Sequence, residues 1–73
     1  MKIIIVGCGK VGVTLAEQLN NEGHDITLID QDSAALENAV NSIDVLGVAG
    51  NGAVYAVQLE AGIQEADLLI ATT

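Results

Sequence analysis

Lys2-Ile3-Ile4-Ile5-Val6-Gly7-Cys8-Gly9-Lys10-Val11-Gly12 carries the reading of the whole chain. Residues 2–6 are nearly all apolar and rich in β-branched side chains. That is the composition of a strand covered on both faces, as in a parallel sheet. Glycine then falls at positions 7, 9 and 12, in the spacing G-x-G-x-x-G. Val11, Leu15 and Leu19 follow at four-residue intervals, with Gly12 and Ala16 beside them, and predict an amphipathic helix over 10–21 that turns these residues inward. Glu17, Gln18, Asn20 and Asn21 take its wet side, and Gly23 stands where a helix end favours a left-handed residue.

The alternation continues beyond the helix. Residues 25–30, Asp-Ile-Thr-Leu-Ile-Asp, read as a second strand. A second helix is expected over 33–42, with Asp32 or Ser33 as N-cap and Leu36, Ala39 and Val40 facing inward. A third strand is expected over 44–48, followed by a turn at Gly50-Asn51-Gly52. The third helix is placed at 53–61, with Val54, Val57 and Ala61 on one side and Gly62 at its end. A fourth strand is placed at 67–71. The order is β-α-β-α-β-α-β, and short loops between strands and helices imply parallel crossovers. The expected fold is a Rossmann-like three-layer α/β domain with parallel strand order 3-2-1-4, the first half of a doubly wound sheet. A ligand belongs over the carboxyl ends of strands one and four, where the chain reverses direction across the sheet.

Composition narrows the function. Seventy-three residues leave room for one small domain. A hydrophobic fraction of 51% argues against disorder. Lys2 and Lys10 are the only cations against 10 acids, for a net charge of −8. A field of that sign attracts neither nucleic acid nor an anionic membrane surface. Tyr55 is the only aromatic residue, so there is no stacking platform for single-stranded nucleic acid. No apolar run approaches the ~18 residues of a membrane span. The run at 3–6 breaks at the glycine turn with no cleavage site, which argues against a signal peptide. Cys8 is the only cysteine, so no internal disulfide or cysteine-based zinc site is expected, and a reducing, cytoplasmic setting fits. Cys8 reads as a space-filling side chain, and His24 has no clustered ligand partner for a metal.

A glycine fingerprint that follows a strand and opens a helix has a physical use. Gly7 permits a tight turn, Gly9 lets the backbone approach a pyrophosphate, and Gly12 lets the helix close on the strand. The free N–H groups of the first helical turn favour an anion. The plainer alternative is a glycine turn with no ligand. Lys10 reads equally as a phosphate contact and as a solvated surface lysine. Asp30 ends the second strand, where the fingerprint expects an acid about 20 residues beyond the glycines to accept from an adenosine ribose. Its plainer alternative is a turn-forming or capping aspartate. At ~4 Å and an effective dielectric of ~20 its carboxylate would repel a 2′-phosphate by about 4 kcal/mol. The chain holds no arginine to offset this, so NAD is expected over NADP.

The glycine stretch, Leu15-Ala16-Glu17 and Asp25-Ile26-Thr27-Leu28-Ile29-Asp30 resemble the start of TrkA-type potassium-uptake regulators. These contain the regulator-of-conductance domain (RCK, or KTN). Gly50-Asn51-Gly52-Ala53 with Glu60-Ala61-Gly62-Ile63 resembles the family's loop and third helix. The segment from Ala66 to Thr73 resembles its fourth strand and the threonine turn after it. The resemblance implies a cytoplasmic subunit, peripheral to the inner face of the cell membrane, that binds NAD(H) or, in some branches, ATP and ADP. It implies a membrane potassium channel or transporter as partner, and an oligomeric protein. Family domains continue with further strands and helices, so residues 1–73 are expected to be the first half of such a domain.

The expected cofactor contacts are Gly7, Gly9, Lys10, Val11 and Gly12 in the loop, and Asp30 and Gln31 at the second strand. Asn51 and Gly52 join them near the adenine side. Ala71 and Thr72 are expected to flank the cofactor's middle. The family often has an acid or histidine at the position of Asn51, which can hydrogen-bond but carries no charge. No catalytic residue is identified. The competing readings are the cofactor half of an NAD-dependent oxidoreductase and an ATP/ADP sensor.

Overall fold

The structure, a computed structural model, describes residues 1–72. Its elements run β1 (Lys2–Val6), α1 (Lys10–Asn21), β2 (Asp25–Asp30), α2 (Ser33–Ser42), β3 (Leu46–Ala49), α3 (Tyr55–Glu60), a 3-10 turn at Ile63–Glu65 and β4 (Leu68–Ala71). The sheet has four strands in the order β3-β2-β1-β4, all parallel, as the sequence predicts.

The isoleucine run shows why β1 is central. Side chains alternate across a strand. Ile3 and Ile5 join Ile26, Leu28, Ala16, Leu36 and Ala39 in a cluster under α1 and α2. Ile4 points the other way, to a second cluster with Ile29 and Ala61. Both faces are therefore filled, and Ile3, Ile4 and Ile5 are at most 1% exposed. Burying a side chain of this kind contributes roughly 1.5–3 kcal/mol.

The helix ends are set by single residues. Asp32 caps α2: its Oδ1 accepts from the N–H groups of Ala34 and Ala35, at 3.1 Å each. Such a cap contributes about 1 kcal/mol. Gly23 and Gly62 follow α1 and α3 with φ of 91° and 88°.

Four details differ from expectation. Val11 is 69% exposed. Gly12 and Ala16 take the centre of the buried stripe of α1, and their small size brings the helix axis close to the sheet. The 11-15-19 row lies on its shoulder, so Leu15 and Leu19 are only partly buried. Strand β3 begins at Leu46 because Ile43 is drawn into the core and the N–H of Val45 turns back to its carbonyl at 2.9 Å. Helix α3 begins at Tyr55 because Asn51 Oδ1 accepts the N–H of Ala53 at 2.9 Å and Asn51 O accepts that of Val54 at 3.0 Å. These bonds hold 51–54 in a turn and leave Val54, before the helix, 45% exposed. β4 begins one residue late, at Leu68.

Candidate functional site

β1 lies between β2 and β4, and the glycine loop leaves its carboxyl end at the point where strand order reverses. Val6 pairs opposite Ile29 in β2. The N–H of Gly7 adds one further bond to Ile29 O at 2.8 Å. Gly7 then turns the chain at φ 116°, a left-handed conformation that a side chain disfavours. Past that point no strand carbonyl is left for the loop, and a side chain takes over. The N–H of Cys8 donates to Asp30 Oδ2 at 2.7 Å. The other oxygen, Oδ1, accepts the N–H of Asp32 at 2.8 Å. From the opposite side, Thr72 Oγ1 donates to Val6 O at 3.0 Å.

The other two loop glycines serve different ends. A Cβ on Gly12 would lie 1.9 Å from Gly7 O, so the approach of α1 to the loop depends on glycine there. Gly9 is extended, with φ −70° and ψ −178°, and a Cβ there would meet nothing within 4 Å. Nothing within the fold requires glycine at position 9. Gly9 is also the N-cap of α1 and supplies no side-chain cap. Among the described residues no side chain caps the first-turn N–H groups of α1, unlike those of α2.

A cleft of about 330 Å³ opens beside the loop. Of the residues expected from sequence, Gly7, Asp30, Gln31, Asn51, Gly52 and Ala71 line it. Sequence reasoning missed Val6, Ile29, Gly50, Ala53 and Leu69 as part of its wall. Period two held the signal for Leu69, which shares a strand face with Ala71. Gly52 is pressed against the floor: a Cβ there would lie 2.5 Å from Val6 Cγ1. Gln58 Nε2 donates to Gly52 O at 2.8 Å and fixes that turn. The carbonyl oxygen of Asn51 is committed to Ala53, which leaves its NH₂ group as the donor available to a ligand.

The remaining candidates stand elsewhere. Lys10 and Val11 flank a shallow groove along α1 with Thr14, Leu15 and Gln18, apart from the cleft. Gly12 packs behind the loop. Thr72 spends its hydroxyl on β1 rather than on the cleft. Lys2 is paired with Glu65 at 3.2 Å, so its charge is used at the amino end of β1. Asp30 is the one titratable side chain among the described residues lining the cleft. Burial, and after it the charges of Asp30 and Asp32, push the Cys8 thiol up from its ordinary value. That favours the neutral, space-filling form.

Residues 3–73 match the TrkA-N domain family. The chain belongs to that family. It is 48% identical over all 73 residues to the Trk system potassium uptake protein TrkA of Halomonas elongata. Identity is 45% to the protein of that name from Haemophilus influenzae, over the same 73 residues. It is 41%, again over 73 residues, to a Trk system potassium uptake protein TrkA homolog of Methanothermobacter thermautotrophicus. The chain spans 16% of the length of the two bacterial relatives and 34% of the archaeal one. No helix among the described residues of this TrkA-N domain is long and apolar enough to cross a membrane.

Proposed function

We propose that this TrkA-N domain binds NAD(H) and thereby regulates a potassium uptake system or channel. The observation that carries the reading is the open space in front of Gly9. Glycine is not required there by backbone or neighbours, and an incoming pyrophosphate gives it a purpose. The uncapped start of α1 supplies N–H donors and the positive end of a helix dipole to the phosphates. Asp30, half-buried at the cleft wall, receives the adenosine ribose, with Gln31 beside it. The NH₂ group of Asn51 meets the adenine side, and Ala71 lies along the cofactor's middle. Lys10 contributes long-range attraction from the helix start, and Val11 contributes its backbone N–H.

Regulation is favoured over hydride-transfer catalysis because the chain matches the TrkA-N family over residues 3–73, and relatives named for potassium uptake over all 73. ATP and ADP share the ribose and phosphates and are the second ligand class to compare. In the proposed setting the domain works on the cytoplasmic side, against a membrane transport subunit. The oligomeric assembly that the resemblance implies is part of the same proposal.

Calorimetric titration with NADH, NAD, ADP and ATP tests the proposal. The expected result is one site, with NADH bound at least as tightly as ATP. Asp30→Ala is expected to weaken NADH by roughly 1.5–3 kcal/mol, the contribution of a hydrogen bond to a charged group. A folded Asp30→Ala variant that binds NADH as tightly as the parent would remove Asp30 from the site.

A further inference from the structure

We infer that Asp30 is a positioning residue for the glycine loop, set before any nucleotide arrives, and that Thr72 holds the same loop from the other side. Backbone pairing between β1 and β2 ends at the N–H of Gly7. The next donor, the N–H of Cys8, is captured by Asp30 Oδ2 at 2.7 Å, a length typical of a charge-assisted bond. The same carboxylate accepts Asp32 N–H through Oδ1 at 2.8 Å. Asp32 in turn caps α2. One side chain therefore ties the loop after β1 to the start of the helix after β2. On the β4 side, Thr72 Oγ1 donates to Val6 O at 3.0 Å and lies 3.5 Å from Gly7 O. The loop is gripped by the strands on both sides of β1.

This tie does not compete with a ribose. A carboxylate offers about four lone-pair sites, and the two amides occupy one on each oxygen. The remaining site on each oxygen can accept a ribose hydroxyl. The rotamer of Asp30 is fixed in advance, so ribose binding costs less ordering entropy. The arrangement depends on side-chain length. A glutamate would keep the charge and the capacity to accept from a ribose, but it is one methylene too long to hold Cys8 N–H and Asp32 N–H in this geometry. The inference about affinity rests on the nucleotide-binding reading above; the inference about loop order stands without it.

Two readouts test it on the 73-residue chain. The first is amide hydrogen exchange at Cys8 without ligand. Asp30→Glu is expected to raise that rate roughly ten- to hundredfold, the equivalent of losing one hydrogen bond to a charged group. The second is NADH affinity. Asp30→Glu is expected to weaken it about tenfold, although glutamate serves the ribose in other dinucleotide sites. Thr72→Val, which removes the hydroxyl at constant volume, is expected to weaken NADH several-fold, and Thr72→Ser to restore it. Cys8 exchange and NADH affinity at parental values in Asp30→Glu would overturn the inference and leave the binding proposal intact. A parent that binds no nucleotide would overturn the binding proposal, while Cys8 exchange would still decide whether Asp30 orders the loop.

Discussion

Gly12→Ala is expected to lower stability by about 2 kcal/mol or more, although alanine is the better helix former. Helix propensity alone favours alanine over glycine by about 1 kcal/mol. Against this stands the new Cβ, 1.9 Å from Gly7 O. That neighbour is a backbone carbonyl, held in place by the Gly7 N–H bond to Ile29 O at 2.8 Å and by Thr72 beside it. It cannot swing aside as the tip of a flexible side chain would. The helix must instead retreat from the sheet, which loosens the packing of Ala16 against the core. Overpacking costs roughly 1–3 kcal/mol, and so short an approach to a fixed backbone oxygen belongs at the top of that range. A domain of this size has a small margin to lose. Urea denaturation monitored by circular dichroism gives the comparison. An unchanged midpoint would mean that the close approach of α1 to the loop is not as described.

Gly9→Val is expected to abolish NADH binding while the domain stays folded. The two glycines are three residues apart and act in opposite ways. At Gly9 the backbone is extended, which any residue adopts, and a Cβ meets nothing within 4 Å. The only structural charge is a poorer N-cap, about 1 kcal/mol. On the proposed binding mode the functional cost is much larger, because the branched side chain would stand where the phosphate oxygens approach the N–H groups of α1. Circular dichroism should report a parental spectrum with a modestly lower melting temperature, and calorimetry no detectable heat of NADH binding. A folded Gly9→Val variant with parental affinity would place the phosphates elsewhere.

The contrast between these glycines also shows what the sequence carries and what it does not. The strand order was legible from the alternation of strands and helices, with the G-x-G-x-x-G spacing after the first strand marking a doubly wound parallel sheet. Asp32 announced its cap by type and position. The shoulder position of Val11 was not legible: it depends on how far Gly12 and Ala16 let α1 rotate toward the sheet, which is a tertiary outcome. The late start of α3 was hidden in Asn51, whose side chain competes with the helix for the N–H of Ala53. At the site, sequence marked Asp30 as a ribose acceptor or a capping residue. It could not show that one carboxylate grips Cys8 N–H as well, since that bond spans two strands. Thr72 was expected to flank the cofactor's middle; the bond from its hydroxyl to Val6 O was not legible, because it joins residues 66 positions apart. Leu69 carries no chemical label of its own, and only its period-two relation to Ala71 could have placed it in the cleft wall.

In the proposed complex a nucleotide lies across the carboxyl ends of β1 and β4, with its phosphates on the start of α1. Amide chemical-shift mapping during an NADH titration locates the ligand. The largest shifts are expected at the N–H groups of Gly9, Lys10 and Val11, with further shifts at Asp30, Gln31, Asn51 and Ala71. Shifts concentrated instead along the α1 groove at Thr14 and Gln18, or none at saturating NADH, would contradict this placement.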